Sequence, residues 1–517
     1  MQVRARETSE VTSVRPAASV VLVRENGSVL WVRRGDQLKF AGGFYAFPGG
    51  RVDLQDSAVP TDGGESLGAA ETPCVVAAAR ELFEETGVLA VPGAQRVPAA
   101  ERKAIREALL RRPVPGEKAA SFGDFLASHS LRIDTRWFSP AGRWVTPSSM
   151  PIRFDARFYL VDLPPGEVAE IWPGELQDGE WIRPEEALRR WETGSALLHP
   201  PAWHTFKALA WAGGHPRDAL PLLTDPDKAP WKLPIREYVV ERIEFQRGLI
   251  MVPLRTPTLP PATHTNCLLL GDEELWVVDP GSPWPDEQAV LRETLEKLAQ
   301  EGRRAVGVLL THHHHDHTGG AQVLGLPIAA TRETADRLDF KVDRLVEDGT
   351  RFEAGPRGWR ALHLPGHTRG HLCLIEEGSG AIVAGDLVAG VGTVIIDPPE
   401  GDMKDYLSSL DRLLGEKPGC IYPAHGPVVP AGVAKLQEYR AHRLEREERV
   451  LGALLLQAGA PAAAADLVPA AYPDVKPELY ALAERSLLAH LYKLVREGRA
   501  AENDGRFSAA AASATLR

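Results

Sequence analysis

Residues 311–320 read THHHHDHTGG, which puts five histidines and one aspartate into six consecutive positions. An expression tag would normally lie at a terminus, and a low-complexity histidine tract would not run into an aspartate and a glycine pair. The apolar run AVGVLLT, residues 305–311, leads into the stretch and predicts a β-strand. The stretch therefore predicts a metal site in a loop at the end of a strand.

Alternation within the stretch divides its residues into two kinds. Read as HxHxDH, it supplies four candidate ligands, His312, His314, Asp316 and His317, and two spacers, His313 and His315. Alternate side chains of an extended segment share one side, so the first two ligands can converge on one ion while the last two reach a second. Two ions about 3.5–4 Å apart would share a nucleophilic hydroxide, and Asp316 is a candidate catalytic residue.

Such a site needs further ligands, and three later segments supply them. PGHTRGH offers His367, AGD offers Asp386, and YPAHGP offers His425. Each of these residues follows a strand-like run or lies in a turn rich in glycine and proline, where ligands gather on a rigid scaffold.

This spaced set of motifs resembles the metallo-β-lactamase superfamily of dinuclear zinc hydrolases, which implies an αββα sandwich. The resemblance assigns His312, His314 and His367 to the first zinc, and Asp316, His317 and His425 to the second. Asp386 would bridge the two ions. His371, and Asp279 after the run LWVVD, would orient ligands without binding metal.

The ligand types indicate the chemistry. Imidazoles and carboxylates suit zinc, although residue type alone leaves iron and manganese open. Zinc can lower the pKa of bound water to about 7, which produces a nucleophile for an ester, thioester, amide or phosphodiester. We therefore expect hydrolysis.

The amino-terminal half carries a second signature. In AAARELFEETGVLA, Glu81, Glu84 and Glu85 lie at i, i+3 and i+4, so a helix would present three carboxylates on one face beside Arg80. With FPGGR at residues 47–51, this stretch resembles the coenzyme A diphosphatase branch of the Nudix hydrolases. The resemblance implies an α/β/α sandwich, a Mg²⁺ or Mn²⁺ ion on the glutamates, and an orienting role for Arg80.

One position departs from the Nudix pattern. The family's first glycine precedes an acidic residue by six positions, and that acid precedes the arginine by eight, but residue 72 is threonine. Residues 53–72 are interpreted as an insertion. Specificity for coenzyme A, which the resemblance implies, would also depend on Arg33, Gly43 and Phe47. Glu175 and Glu180 are candidate additional metal ligands or general bases.

The carboxy-terminal region resembles the beta-lactamase-like protein 2 group, in which a winged helix follows the catalytic domain. An apolar helical face is predicted from Leu487, Leu488, Leu491, Leu494 and Val495, with Gly498 as its cap and residues 503–505 as the wing turn. The group includes single-strand endoribonucleases and thioesterases. Residues 476–506 hold six Lys or Arg against five Asp or Glu, which favours a packing or gating role over phosphate binding.

Chain length and the positions of the prolines suggest the domain order. The chain has 517 residues, enough for several domains of about 100–200 residues. Four prolines in LPLLTDPDKAPWKLP, residues 220–234, would interrupt any helix, so this stretch is a predicted linker. We expect a multidomain α/β and α+β protein with a Nudix domain at 1–222, a linker at 223–234, a metallo-β-lactamase domain at 235–440 and a winged helix at 441–517.

Composition limits the partners. A net charge of −11 disfavours a surface that coats nucleic acid or an anionic membrane. The four cysteines have no CxxC spacing, which predicts buried thiols in a reducing compartment. No apolar run reaches the about 18–20 residues of a membrane span, so a cytoplasmic location without a membrane partner is expected.

These features predict a bifunctional metal-dependent hydrolase. Its dinuclear zinc site would cleave a thioester, ester or phosphodiester, and its Nudix site the pyrophosphate of coenzyme A or of a nucleoside-diphosphate derivative. Small-molecule substrates such as an acyl-coenzyme A are expected. The alternative is a zinc-dependent endoribonuclease acting on single-stranded RNA, with the Nudix domain as a silent ligand-binding or regulatory module.

Overall fold

The computed structural model describes residues 13–36, 38, 42–63, 68, 71–111, 119–147, 150, 152–172, 174–233, 235–354 and 358–510. The chain divides into two compact units, residues 1–247 and 248–517. Among the described residues, no helix combines the length and the hydropathy needed to cross a bilayer.

Unit 1 is a mixed sheet with helices around it. Its strands are β1 (Arg15–Val23), β2 (Val29–Arg34), β3 (Tyr45–Ala46), β4 (Gly49–Arg51), β5 (Thr61–Asp62), β6 (Ile133–Asp134), β7 (Ser139–Val145), β8 (Phe154–Asp162), β9 (Leu176–Ile182), β10 (Ile235–Arg236), β11 (Val239–Val240) and β12 (Ile243–Gln246). Its helices are α1 (Thr72–Thr86), α2 (Ala99–Leu110), α3 (Phe122–Ser128), α4 (Pro184–Glu192), α5 (Pro200–Ala212) and α6 (Leu220–Thr224).

The main sheet of unit 1 has the order β10-β11-β7-β8-β1-β2-β3, with β4 also paired to β1 and β9 to β2. Strands β1 and β2 form an antiparallel hairpin around residues 25–27, where Gly27 adopts a φ of 78° that glycine tolerates. Helix α1 packs against β1 through apolar residues that include Val75 and Leu82. Gly87 ends this helix in the left-handed conformation, and its N–H donates to Phe83 O.

The proline-rich stretch 220–234 begins with a helix, so the expectation that its prolines exclude one is wrong there. Pro221 lies in the first turn of α6, where a proline removes no intrahelical hydrogen bond. Residues 235–247, which the sequence assigned to the second domain, group with unit 1.

Unit 2 begins as two sheets with helices on their outer faces. Its strands are β13 (Leu249–Arg255), β14 (His264–Gly271), β15 (Glu274–Val278), β16 (Arg304–Leu309), β17 (Ile328–Ala330), β18 (Arg344–Leu345), β19 (Arg351–Phe352), β20 (Trp359–His363), β21 (Leu372–Glu376), β22 (Ile382–Gly385), β23 (Ile421–Pro423), β24 (Ala462–Ala463), β25 (Ala500–Asn503) and β26 (Arg506–Ala509). Its helices are α7 (Pro285–Gln300), α8 (His315–Thr318), α9 (Arg332–Ala335), α10 (Met403–Gly415), α11 (Gly432–Leu455), α12 (Ala464–Ala471) and α13 (Tyr480–Arg496).

One sheet of unit 2 contains β13 to β18 in sequential order, and the second contains β19 to β23. Helix α7 covers the first sheet through Leu291 and Leu298. Helices α10 and α11 cover the second through residues such as Leu410 and Leu436. This layering confirms the αββα arrangement, and the strand ends deliver loops to one edge, where the histidine-rich stretch lies.

The carboxy-terminal part is a winged helix. Strands β24, β26 and β25 form a small sheet against α12 and α13. The predicted apolar face of α13 is confirmed, because Leu487, Leu491 and Leu494 are fully buried. Asp504 and Gly505 form the turn between the last two strands with φ values of 49° and 74°.

Helix α11 belongs to two cores. Leu436 and Tyr439 pack under the second sheet, while Val450 and Leu454 pack in the winged helix. The helix is continuous from Gly432 to Leu455, so the predicted boundary at residues 440–441 falls inside it.

Candidate metal centre and carboxylate site

The histidine-rich stretch follows β16 and leads into the short helix α8. Asp279, at the end of the neighbouring β15, anchors it: its carboxylate accepts hydrogen bonds from Thr311 N at 2.8 Å and Thr311 Oγ1 at 2.6 Å. Gly281 then passes close by, since a Cβ there would lie 1.7 Å from Asp316 O. The strand ends and this close approach fix where the histidines point.

Three imidazole nitrogens converge on one point. His312 Nε2 lies 2.9 Å from His314 Nδ1, and His367 Nε2 lies 3.1 Å from the same atom. Ligands about 2.0–2.1 Å from a tetrahedral zinc are separated by about 3.3 Å, close to these distances. With Asp386, these residues form a group whose ligand atoms lie within 4.8 Å of one another.

A second group contains Asp316, His317 and His425. His425 Nε2 lies 3.5 Å from Asp316 Oδ2, and His317 Nε2 lies 4.0 Å from Asp316 Oδ1. The structure thus brings together all seven residues that the sequence analysis proposed as ligands, in the two sets proposed.

Asp386 lies between the two groups. Its Oδ2 is 3.5 Å from His367 Nε2 in the first group. Its Oδ1 is 3.3 Å from His425 Nε2 and 3.6 Å from His317 Nε2 in the second. One carboxylate therefore faces both groups with different oxygens, which is the position that a bridging ligand requires.

The hydrogen bonds of the imidazoles test whether a cation fits. Nδ1 of His367 lies 2.8 Å from Ile395 O, and Nδ1 of His425 lies 2.9 Å from His264 O. Both acceptors require a proton on Nδ1, which leaves the Nε2 lone pair aimed inward. Among the described residues, buried Nε2 of His317 and of His425 has no hydrogen-bond partner. Buried polar atoms in this state are costly, and a divalent cation between them would satisfy both, so the donor set fits.

Electrostatics differ between the two groups. Burial, together with neighbouring imidazoles such as His367, lowers the pKa of His314 to about 3, which keeps it in the neutral form that binds metal. In the second group, burial opposes protonation, but Asp386 and Asp279 raise the pKa of His317. The carboxylates around His317 therefore attract positive charge, which a bound cation would supply.

Two further residues were expected to orient ligands. His371 Nε2 accepts a hydrogen bond from Asp386 N at 3.0 Å, and Asp279 Oδ2 lies 2.8 Å from His317 Nδ1. Both lie outside the two metal-ligand groups. The spacers His313 and His315 also lie outside them.

The stretch THTN, residues 263–266, supports the site although it carries no recognised motif. His264 contributes its carbonyl to His425, and Thr265 Oγ1 donates to Asp316 O at 2.8 Å. Asn266 Nδ2 donates to Pro423 O and Gly426 O, on both sides of His425, at 2.9 and 2.8 Å. A polar cluster at the start of the apolar strand CLLLG was the available signal.

Unit 1 contains the second site, on helix α1. Arg80 Nη1 donates to Glu81 Oε1 at 2.8 Å, as expected of an orienting arginine. Gly49 N donates to Glu85 Oε2 at 2.9 Å, and a Cβ on Gly50 would lie 2.4 Å from Glu81 Oε1. FPGGR therefore packs directly against the glutamates although the insertion separates them in sequence.

Asp56 occupies the place expected at residue 72. Its two carboxylate oxygens accept hydrogen bonds from Arg80 Nε and Nη2 at 3.0 and 3.1 Å, and it is 2% exposed. It follows Gly50 by the six positions of the Nudix pattern, whereas Thr72 is the first residue of α1. The acidic residue of the Nudix pattern is thus displaced from residue 72 to residue 56. Counting six positions forward from Gly50 would have identified it.

Burial shapes the charge of the glutamates. It raises the pKa of Glu81 to about 7, against the opposing effect of Arg80, and it also raises the pKa of Glu84. The pKa of Glu85 is raised as well, by burial and then by Glu81. Carboxylates crowded in this way resist joint ionisation, and a divalent cation with oxygen ligands would relieve their repulsion.

The remaining candidates of unit 1 have mixed surroundings. Glu175 is exposed, and Glu180 is ion-paired with Arg190 at 2.5 Å. Of the residues proposed for coenzyme A specificity, Arg33 is paired with Asp36 at 2.8 Å, and Phe47 packs against Phe206 with ring centroids 5.3 Å apart. Gly43 donates to Arg34 O in a turn.

Comparison with known families supports three assignments. Residues 13–200 match the NUDIX domain, and residues 260–330 and 325–425 match the metallo-beta-lactamase superfamily. Residues 463–508 match the beta-lactamase associated winged helix domain.

Three proteins illustrate what the chain is similar to. The beta-lactamase-like protein 2 homolog of Drosophila melanogaster is 30% identical over 259 residues, which cover 47% of this chain and 86% of that protein. The atrochrysone carboxyl ACP thioesterase of Aspergillus chevalieri is 34% identical over 196 residues, 37% of this chain and 60% of that protein. A solved NUDIX hydrolase from Alicyclobacillus acidocaldarius is 28% identical and covers 41% of this chain and 98% of its own, with a TM-score of 0.35.

The two sites lie inside the matched domains, and the Drosophila relative is covered over most of its length. The chain therefore belongs to the metallo-β-lactamase superfamily, in the group of beta-lactamase-like protein 2, and is a hydrolase with a Nudix domain before its metallo-β-lactamase fold and a winged helix after it.

Proposed function

We propose that the chain is a bifunctional hydrolase whose dinuclear zinc site cleaves an acyl thioester and whose Nudix site cleaves a pyrophosphate. The observation that carries the first half is the position of Asp386, which faces His367 with one oxygen and His317 and His425 with the other. A single-ion site would need no carboxylate shared in this way. Zinc in both groups would supply Lewis acidity and a nucleophile made from water at neutral pH.

The residues around the ions have definable tasks. Ile395 O and His264 O fix the Nδ1 protons of His367 and His425, so each ring presents Nε2 to the centre. Asp279 and His371 hold His317 and the Asp386 backbone from outside. Because these contacts are all within the protein, the ligand side chains are preorganised to hold the two cations.

Thioester specificity rests on the relatives. The Aspergillus chevalieri relative is named an atrochrysone carboxyl ACP thioesterase, and it is 34% identical over 37% of this chain. A thioester carbonyl needs no protein nucleophile if water is activated by metal. Acyl-coenzyme A is the matching small-molecule substrate, since a pyrophosphate in the same molecule would suit the Nudix domain.

For the Nudix site, the supporting observation is the Asp56–Arg80–Glu81 set described above. Glu81, Glu84 and Glu85 would hold Mg²⁺ or Mn²⁺, with Arg80 fixing Glu81. A complete and buried set of this kind supports catalysis over the silent-module alternative, because a purely ligand-binding domain has no need of three crowded carboxylates.

The endoribonuclease alternative finds less support. RNA affinity requires cationic side chains that are available to phosphates. Ion pairs engage five of the six cationic side chains in residues 476–506. Arg485, Lys493, Arg496, Arg499 and Arg506 lie against Asp397, Glu447, Asp402, Glu448 and Asp466, respectively.

The test uses two variants that serve as controls for each other. Free-thiol release from a panel of acyl-coenzyme A compounds would be measured with zinc-loaded wild type, Asp316→Ala and Glu84→Gln. Cleavage of the coenzyme A pyrophosphate would be measured on the same three proteins. We expect Asp316→Ala to lose only thiol release and Glu84→Gln to lose only pyrophosphate cleavage. Zinc-loaded wild type that releases no thiol but cuts single-stranded RNA would overturn the thioester assignment.

A further inference from the structure

Residues 389–402, here named the site segment, connect the loop after Asp386 to helix α10. The segment touches both metal groups through its backbone. Gly390 N donates to His425 O at 2.8 Å, and Ile395 O lies 2.8 Å from His367 Nδ1. Its position therefore sets the orientation of two proposed ligands.

Helix α11 holds the inner part of the site segment. Tyr439 Oη donates to Gly392 O at 2.8 Å and accepts from Ala389 N at 2.9 Å. One turn further along, Arg443 Nη2 donates to Val394 O, the carbonyl immediately before that of Ile395. Tyr439 and Arg443 are 1% and 3% exposed, so these bonds lie in a low-dielectric interior.

Helix α13 of the winged helix holds the outer part. Arg485 pairs with Asp397, and Arg496 pairs with Asp402 at 2.6 Å. Asp402 caps α10 through Lys404 N and Asp405 N, and its own N–H donates to Gly366 O at 2.8 Å, next to His367. The site segment is thus tied at several points to helices that lie beyond the metallo-β-lactamase strands.

The presence of Arg443 at this place is informative. A buried guanidinium is costly unless its donors are used, and among the described residues its Nε has no hydrogen-bond partner. An apolar side chain would serve packing alone as well or better. The free-energy cost of burying the Arg443 guanidinium is explained if its hydrogen bond to Val394 O has a function.

We infer that Arg443 is a positioning residue of the metal centre, through which the carboxy-terminal helices fix the site segment and hence His367. The chain of contact is short: Arg443 binds Val394 O, the next carbonyl binds His367 Nδ1, and the ring then presents Nε2 toward His314 Nδ1 at 3.1 Å. Outer groups of this type orient ligands and raise metal affinity. Helices α11 and α13 accordingly serve as a scaffold of the hydrolytic site. The inference rests on the proposed function only in taking His367 as a ligand.

A matched control lies on the same helix. Arg446 is also buried, at 6% exposure, but it binds Ala471 O and Asp474, away from the site segment. Arg443→Met and Arg446→Met therefore remove the same group from the same helix, and only the first disconnects the site segment. Arg443→Lys keeps a cation without the planar fork, and Tyr439→Phe removes one hydroxyl with little loss of packing.

The experiment measures Zn²⁺ affinity of the full-length protein by competition with a chromophoric chelator, together with thermal unfolding of the metal-free forms. Both methionine variants are expected to unfold at lower temperature. Zn²⁺ binding at the site that contains His367 should weaken by about 10–100-fold in Arg443→Met and stay unchanged in Arg446→Met. Arg443→Lys should recover part of the loss.

Equal Zn²⁺ affinity in the two methionine variants would overturn the inference, whether both weaken or neither does. If Arg443→Met does not fold, Tyr439→Phe takes its place, and a wild-type affinity for it would also overturn the inference. Affinity is read without substrate, so a wild type that binds two zinc ions yet cleaves no thioester would refute the proposed activity and leave this result standing on its own.

Discussion

The carboxylate of Asp56 receives two hydrogen bonds from the Arg80 guanidinium, at 3.0 and 3.1 Å, although the two residues are separated by 24 positions in the chain. Asp56 is 2% exposed and Arg80 is 9% exposed. A forked, buried pair of this kind fixes the plane of the guanidinium, whose remaining Nη1 then reaches Glu81.

Replacing Asp56 should therefore damage the Nudix site through Arg80. We expect Asp56→Ala to lower kcat for pyrophosphate cleavage by about 10–100-fold, the range found when a group that orients a metal ligand is removed. Removing one member of a buried ion pair typically costs about 3–5 kcal/mol, and the lower end is expected because Arg80 keeps Glu81 and Arg51 O. Steady-state kinetics and thermal unfolding would measure the two effects.

Thr72→Glu is the matched control, since residue 72 is where the uninterrupted pattern would place the acid. The structure puts Thr72 at the start of α1, and we expect no gain in pyrophosphate cleavage. Full activity in Asp56→Ala, or rescue of that variant by a glutamate at residue 72, would contradict the assignment of Asp56.

Asp386 should have a larger effect on metal content than any other proposed ligand, because its two oxygens face different groups. We expect His367→Ala and His425→Ala each to retain about one zinc ion per chain and Asp386→Ala to retain less than one. Metal analysis after dialysis against a weak chelator would measure the stoichiometry. His315→Ala, which alters a spacer, should keep two ions.

Two ions retained by Asp386→Ala would show that each group binds without a shared carboxylate. The bridging role would then be wrong even if both groups bind metal.

Local sequence patterns predicted where strands end and where the proposed metal ligands follow them. His312, His314 and Asp386 follow apolar runs, and such side chains meet at one edge of a layered fold. The three domains and their order were also predictable, because each has a motif of its own. Asp56 was missed, because an insertion moved it away from the helix that carries its partner and the count was made back from Arg80 and not forward from Gly50.

Backbone groups account for much of what the sequence could not show. Ile395 and His264 act through carbonyl oxygens, so their side chains carry no signal of the contact. The continuity of α11 was also missed, because the apolar positions of both cores follow one helical pattern across the predicted boundary. Contacts between residues far apart in the sequence, such as these, depend on how the elements pack in three dimensions.

Asp279 offers a test of orientation without loss of a ligand. Its carboxylate binds Thr311 twice and lies 2.8 Å from His317 Nδ1, while its own φ is +50°. Asparagine tolerates this conformation, so Asp279→Asn should fold normally. We expect about 10–100-fold weaker zinc binding at the site that contains His317, because His317 loses a charged acceptor.

Titration with a chelator would follow both sites of Asp279→Asn separately. Weakening confined to the site that contains His312 would refute this prediction, since the proposed ligand that Asp279 contacts directly is His317.

The winged helix should carry an acid-sensitive ion pair at Glu447, whose side chain is 3% exposed. Burial alone would raise the pKa of this carboxyl, but contacts with His490 and Lys493 outweigh burial and hold its pKa at about 2. Lys493 Nζ lies 2.8 Å from Oε2, and Arg499 Nη1 lies 2.8 Å from Oε1.

A lowered folded-state pKa means that the unfolded chain binds the proton more tightly, so this stabilisation is complete above the unfolded value of about 4.3. It is lost as the pH falls from there to about 2. At about 1.4 kcal/mol per unit of pKa, the loss is about 3 kcal/mol at most. Thermal unfolding of the metal-free protein between pH 5 and 2.5 would measure it against Glu447→Gln, which should be less stable at pH 5 and lose less on acidification. Parallel pH profiles for the two proteins would mean that Glu447 keeps an ordinary pKa in the folded state.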